Sequence, residues 1–337
     1  MKIFPRRSDW RSLLLRWTIL IGVVILSLMF FTNMPGRSYS GPLRPLSAFE
    51  REVIEQLKRH ISMLGEEIGE RNIWKYNNLK TSAHYIEKMV RELGYDAKKQ
   101  EYGVKDMPVE NLEWELIGVS NPEEIILVGA HYDSVLGSPG ANDNASGVAA
   151  LLEIARLLKA ERLSRTVRFV AFVNEEPPFF HSPAMGSLVY AKGLRAGDSR
   201  IRGALILEMI GYYSDKPNSQ QYPFLLGLNR PKEANFIAVV GNLASGRLVK
   251  KVTSYFKKKS QFPIEGVSAP GFIPGINWSD HWSFWKEGYP AVMITDTAHM
   301  RSPHYHQSTD LPDTLDYEKM AAVVDGLKGA IVDLANE

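Results

Sequence analysis

The chain has 337 residues, 45% of them hydrophobic and 23% charged, which excludes a wholly disordered chain, a collagen-like repeat and a multi-span membrane protein. It contains no cysteine, which excludes disulfide frameworks, cysteine-zinc sites and thiol catalysis. The net charge of +2 is uneven: residues 1–46 carry seven Lys/Arg and one Asp, whereas the rest carries 33 Lys/Arg against 37 Asp/Glu, so the main body has no bulk electrostatic reason to bind nucleic acid.

Between Arg16 and Arg37 lie 20 uncharged residues rich in Ile, Val, Leu and Phe. A helix of that length spans about 30 Å, the thickness of a bilayer core. Lys2, Arg6, Arg7, Arg11 and Arg16 precede the run, and only Arg37 and Arg44 follow closely. The positive-inside rule then places the N-terminus in the cytoplasm and the body outside it. Residues 1–34 are therefore expected to form a cytoplasmic N-terminus and a single-pass membrane anchor. A cleaved signal peptide has the same charged start and apolar middle, and would leave a secreted or periplasmic protein. No A-x-A site precedes Met34-Pro35-Gly36. Residues 35–46, with Pro35, Gly36, Gly41, Pro42 and Pro45, read as a linker, and residues 47–337 as one domain.

Ser47-Ala48-Phe49-Glu50 fits a capping box, opening an amphipathic helix to about residue 68. A second helix is expected over 79–93, stopped by Gly94. Amphipathic strands are expected near 96–103 and 111–118. Ile125 to Ala130 is a continuous apolar run, as in a strand buried on both faces. A helix over 145–160 and a buried strand over 167–173 follow. The pattern then predicts a helix over 183–195, strands over 204–207 and 235–240, a helix over 245–258, a strand over 291–295 and a closing helix over 317–334. This alternation argues for a central, mostly parallel mixed α/β sheet with helices on both faces.

Ligands of open α/β sheets bind beyond the carboxyl ends of the strands. The 125–130 strand ends in His131-Tyr132-Asp133, the 167–173 strand in Asn174-Glu175-Glu176, and the 204–207 strand in Glu208. The loop after 291–295 holds His299, His304 and His306, and Asp143 lies in the small-residue loop Gly140 to Gly147. Four strands thus deliver histidine or carboxylate to one edge. His131 and Asp133 point to the same side of an extended strand, so Asp133 can orient His131 or a neighbour; a satisfied structural histidine is the alternative. Asp143 can be a metal ligand or an N-cap for the following helix. Adjacent Glu175 and Glu176 repel at a buried strand end, and a divalent cation would relieve that; a solvated acidic turn is the alternative. Histidine and carboxylate ligands suit Zn²⁺, with Mn²⁺ or Co²⁺ able to use the same donors.

His-Tyr-Asp-Ser, then Gly-Ala-Asn-Asp-Asn-Ala-Ser-Gly, then Asn-Glu-Glu, then a distal Tyr-His-x-x-x-Asp together resemble the M28 family of metallo-aminopeptidases, over most of residues 50–337. The resemblance implies a peptide substrate and a site for two zinc ions. His131 and Glu208 would bind one ion, Glu176 and His306 the other, and Asp143 both. Glu175 would be the general base and Asp133 would orient His131. The family often has Asp where this chain has Glu208. His306 fits the family spacing better than His304, and Ser279-Asp280-His281 resembles a further family stretch, which implies a supporting role near the substrate. Tyr212, Tyr213, Trp278, Trp282 and Trp285 would either wall a substrate pocket or belong to the core. The alternatives are a glutaminyl cyclase on a related scaffold and a non-catalytic ectodomain that keeps the fold. No Gly-x-Ser-x-Gly elbow supports a serine hydrolase.

Overall fold

The structure, a computed structural model, describes residues 7–32, 34–223, 226–227 and 230–337; the side chains of 7–9 and 23–32 lie outside that description. The first helix, α1, is Arg7–Thr32. Trp10, Leu14, Leu15, Trp17 and Ile19 are exposed along it. Among the described residues no helix is long and apolar enough to cross a membrane. The expected single-pass anchor is therefore not supported, and residues 23–33 of its apolar run fall largely outside the description.

The body begins with α2 (Ala48–Ser62), closed at its N-terminus by the expected capping box of Ser47 and Glu50. A wide helical turn, Met63–Ile68, and α3 (Tyr76–Glu92) follow. The sheet elements are β1 (Lys98–Val104), β2 (Met107–Leu116), β3 (Asn121–His131), β4 (Arg165–Phe172), β5 (Arg200–Glu208), β6 (Ile237–Gly241), β7 (Ile264–Ser268) and β8 (Ala291–Thr295). Between them lie α4 (Gly147–Leu158), α5 (Gly186–Ala196), α6 (Gly246–Lys259) and α7 (His281–Lys286), and α8 (Tyr317–Asn336) closes the chain.

The eight strands form one sheet in the order β1-β2-β4-β3-β5-β8-β6-β7. Neighbours β4, β3, β5 and β8 run parallel, while β1, β2 and the β6–β8 pairing are antiparallel, so the sheet is mixed. The central strands alternate strictly between two cores. Ile126, Val128 and Ala130 of β3 join the larger core with α2, α3, α4, α6 and α8, whereas Ile125 and Leu127 face the smaller one with α5 and α7. Helices cover both faces because both faces of those strands are apolar.

Two elements were not expected from the sequence. The edge strand β7 is five residues with Gly266 at its centre, too short and interrupted for a period-2 signal. Helix α7 is six residues, rich in aromatic side chains, without a repeating stripe. The stretch read as a linker lies against β7: Ser38 Oγ donates to Ile264 O at 3.0 Å and accepts from Ile264 N–H at 2.9 Å.

Candidate metal centre and active site

Four parallel neighbours place their carboxyl ends side by side, and this brings distant residues together. His131 ends β3, Glu175 and Glu176 follow β4, Glu208 ends β5, and the loop carrying His306 follows β8. All except the partly exposed His306 are buried. The backbone is forced at these points: Asn174, Met209 and His306 adopt positive φ of 59°, 47° and 57°. Such conformations cost about 1–3 kcal/mol each and persist where the surroundings hold them.

The loop bearing Asp143 is the hub. Gly140 has φ +64°, and a Cβ there would lie 2.3 Å from the Asp143 carbonyl oxygen and 2.6 Å from Ser134 Cβ, so only glycine fits. The Asp310 carboxylate accepts the N–H groups of Asn142 and Asp143 at 2.9 and 3.0 Å. Asn142 Oδ1 accepts Gly211 N–H at 2.9 Å, and Asn144 Oδ1 accepts Met209 N–H at 3.0 Å, tying the loop to the end of β5. Asn144 Oδ1 also accepts Gly147 N–H at 3.1 Å. The cap-like contact considered for Asp143 thus belongs to Asn144, and Asp143 turns to the histidines.

Two sets of three possible ligands share Asp143: His131, Asp143 and Glu208, and Asp143, Glu176 and His306. In the first, His131 Nε2 lies 3.4 Å from Asp143 Oδ1 and 3.3 Å from Glu208 Oε2. In the second, His306 Nε2 lies 3.2 Å from Asp143 Oδ2 and 3.3 Å from Glu176 Oε2. A tetrahedral ion with bonds of about 2.0–2.1 Å has ligand–ligand edges of about 3.3–3.4 Å, which the distances from His131 and His306 in the two sets approach. His131 Nε2 and Glu176 Oε1 are buried without a hydrogen-bond partner among the described residues. An unsatisfied buried polar atom costs about 1–3 kcal/mol, and a metal would satisfy His131 Nε2.

Glu175 belongs to neither set; its Oε2 lies 4.0 Å from His131 Nε2. Asp133 does two things. Its Oδ1 is 3.5 Å from His131 Nδ1, and its two oxygens accept the N–H groups of Glu175 and Glu176 at 3.1 Å each. One carboxylate thereby fixes the turn that aims both glutamates.

The cluster's charge balance shows in its proton affinities. Burial, with Asp143 nearby, pushes Glu176 up to about 7. Burial also raises Glu175 well above the usual carboxylate range, against the pull of His131. Burial would lower His306, but Asp143 and Glu176 outweigh it and lift the ring to about 10. His131 is likewise raised, its burial outweighed by Glu208 and Glu175.

Other expected residues lie apart. His304 is engaged with Thr309 Oγ1 at 2.9 Å and joins neither set. His299 stands between Trp278 and Tyr305. Ser279 Oγ donates to Glu208 Oε2 at 2.7 Å and orients it, and Asp280 is fully buried. Tyr212 packs against His304, Trp282 stacks on His181, Tyr213 is core, and Trp285 donates to Ala291 O. Of the five aromatic residues considered, Trp278 lines the cleft beside the site.

That cleft has about 830 Å³ of free space including its mouth, and its floor follows the sheet. Glu208 pairs with Thr295, Thr295 with Ala238, and Ala238 with Glu265, so the four side chains share one face across β5, β8, β6 and β7. Phe236, Val240 and Met293 line it as well.

The profile of Peptidase family M28 matches residues 114–330. The chain belongs to peptidase family M28. An uncharacterized protein of Escherichia coli (strain K12), YfbL, is 39% identical over 81% of this chain and 86% of its own length. Leucine aminopeptidase 1 of Trichophyton equinum is 25% identical over 76% of this chain and 68% of its own. Among solved structures, a zinc aminopeptidase from Bacillus subtilis superposes with a TM-score of 0.68 at 18% identity, covering 84% of this chain and 95% of that one. A glutaminyl cyclase from Fimbriiglobus ruber gives 0.60 at 19% identity, covering 87% and 97%. These two share the fold. M28 membership assigns the chain to the metal-dependent peptide hydrolases at the level of class, and the buried His/Asp/Glu clusters agree with a metal cofactor.

Asp310 and Arg71 carry no assigned role in the sequence reading, and Ser279 carries only a supporting one. Asp310 lay within the quoted Tyr-His-x-x-x-Asp motif, and its clamp on the Asp143 loop needed the tertiary contact. Ser279, expected to support the site near the substrate, has Glu208 as its partner. Arg71 carried no signal, because a lone arginine near Glu66, Glu67 and Glu70 reads as surface charge.

Proposed function

We propose that the chain releases N-terminal amino acids from peptides, using two zinc ions and Glu175 as general base, with residues 47–337 as the catalytic unit. The observation that carries this reading is Asp143, whose two oxygens face two separate ligand sets. His131 and Glu208 would hold one ion, Glu176 and His306 the other, and Asp143 both. When bound there, such ions supply Lewis acidity that polarises a peptide carbonyl and acidifies water. Glu175 takes the proton of the attacking water on its carboxylate and returns it to the departing amine. Asp133 keeps Glu175 in place through its backbone N–H, and Ser279 fixes the Glu208 carboxylate. The acidic surroundings favour a substrate that brings its own α-ammonium group. The apolar cleft beside Glu208 takes the side chain of the first residue.

Metal analysis after reconstitution with Zn²⁺, combined with free and N-blocked peptides, tests the reading. Two equivalents of metal and cleavage of free peptides alone are expected. Conversion of N-terminal glutamine to a cyclic product, with one equivalent of metal, would favour the cyclase reading that the second fold likeness keeps open. N-terminal sequencing with cell fractionation separates a retained anchor from a leader cleaved near residues 35–45.

A further inference from the structure

Arg71 is fully buried, yet among the described residues none of its hydrogen bonds goes to a carboxylate. Its Nε donates to Tyr132 O at 2.7 Å, and Nη2 to Gly140 O at 2.7 Å. Nη1 donates to Pro139 O at 2.5 Å, Leu64 O at 3.1 Å and Gly69 O at 3.2 Å. Its backbone is locked too, since Arg71 N–H donates to Ser134 Oγ and Ser134 N–H to Arg71 O. One guanidinium therefore ties the wide turn after α2 to both ends of the 132–140 loop. That loop begins one residue after His131, contains Asp133 and ends three residues before Asp143.

A charge placed this deep is unfavourable unless something repays its desolvation. Burial lowers Arg71 to about 10, with Asp133, Asp310, Asp143 and Glu176 opposing the drop, so it stays charged at neutral pH. The planar fork matters as well: a lysine ammonium has the charge but not the geometry to reach carbonyls on three sides.

We infer that Arg71 is a positioning residue for the metal centre, holding the loop of Asp133 and Asp143 in ligand geometry. This rests on the metal-site reading proposed above. Partners behind metal ligands typically change metal affinity by about 10–100-fold when removed.

The test compares the wild type with Arg71→Lys, Arg71→Met and Leu327→Ala. The last removes a fully buried side chain from α8 and serves as a stability control. Each metal-free protein is titrated with Zn²⁺ against a chromogenic chelator, and its thermal unfolding is followed with and without Zn²⁺. Both Arg71 variants should bind Zn²⁺ about 10–100-fold more weakly and gain less Tm on Zn²⁺ addition. Leu327→Ala should lose Tm but keep wild-type affinity. If Arg71→Met does not fold, Arg71→Lys decides by the same criterion. Zn²⁺ affinity within twofold of wild type in the folded Arg71 variants, with only Tm lowered, overturns the inference. So does an equal loss of affinity in Leu327→Ala. A wild type that binds no Zn²⁺ overturns the metal-site reading and this inference together.

Discussion

Glu175→Gln is expected to keep its metal and lose turnover by about 10²–10⁴-fold, the usual worth of a positioned general base. The amide preserves the shape of the carboxylate but has no basic oxygen to take a proton from water. Metal content should hold because Glu175 lies outside both ligand sets. KM should change little, since the side chain acts on the attacking water rather than on the bound peptide. Glu176→Gln is the informative partner. Glu176 lies in the second set, 3.3 Å from His306 Nε2, so its amide should weaken metal binding together with rate. If Glu175→Gln shed metal while Glu176→Gln retained it, the two roles would be exchanged. Full activity of Glu175→Gln at full metal occupancy would sink the proposed mechanism.

Asp143→Ala should damage both halves of the site at once. Its two oxygens lie 3.4 Å from His131 Nε2 and 3.2 Å from His306 Nε2, and among the described residues it alone belongs to both sets. Glu208→Gln or Glu176→Gln should weaken one equivalent of Zn²⁺ and leave the other. Asp143→Ala should weaken both, by more than the roughly 10–100-fold that follows loss of an outer hydrogen-bond partner. Its activity should fall below that of Glu175→Gln, since Lewis acidity is lost along with ligand geometry. Zn²⁺ titration and peptide hydrolysis on the same preparations measure this. Two full equivalents in Asp143→Ala, bound with wild-type affinity, would rule out a shared carboxylate.

The sequence by itself determined the layered α/β architecture, because period-2 and period-3.6 apolar patterns are local and each buried strand is a continuous apolar run. It also named His131, Asp143, Glu176, Glu208 and His306, since their motifs fall at strand ends in a family order. It could not register the short elements β7 and α7, which lack enough residues for a periodic signal. Only the tertiary structure decided that β4, β3, β5 and β8 are adjacent and parallel, which is what brings residues from four separate stretches within ligand distance. It also decided which polar groups serve others: Asn144 taking the Met209 N–H, Asp310 holding the Asp143 loop, and Arg71 filling the space behind it. These are long-range hydrogen bonds whose partners lie up to 168 positions apart, and no local pattern encodes which buried donor meets which acceptor.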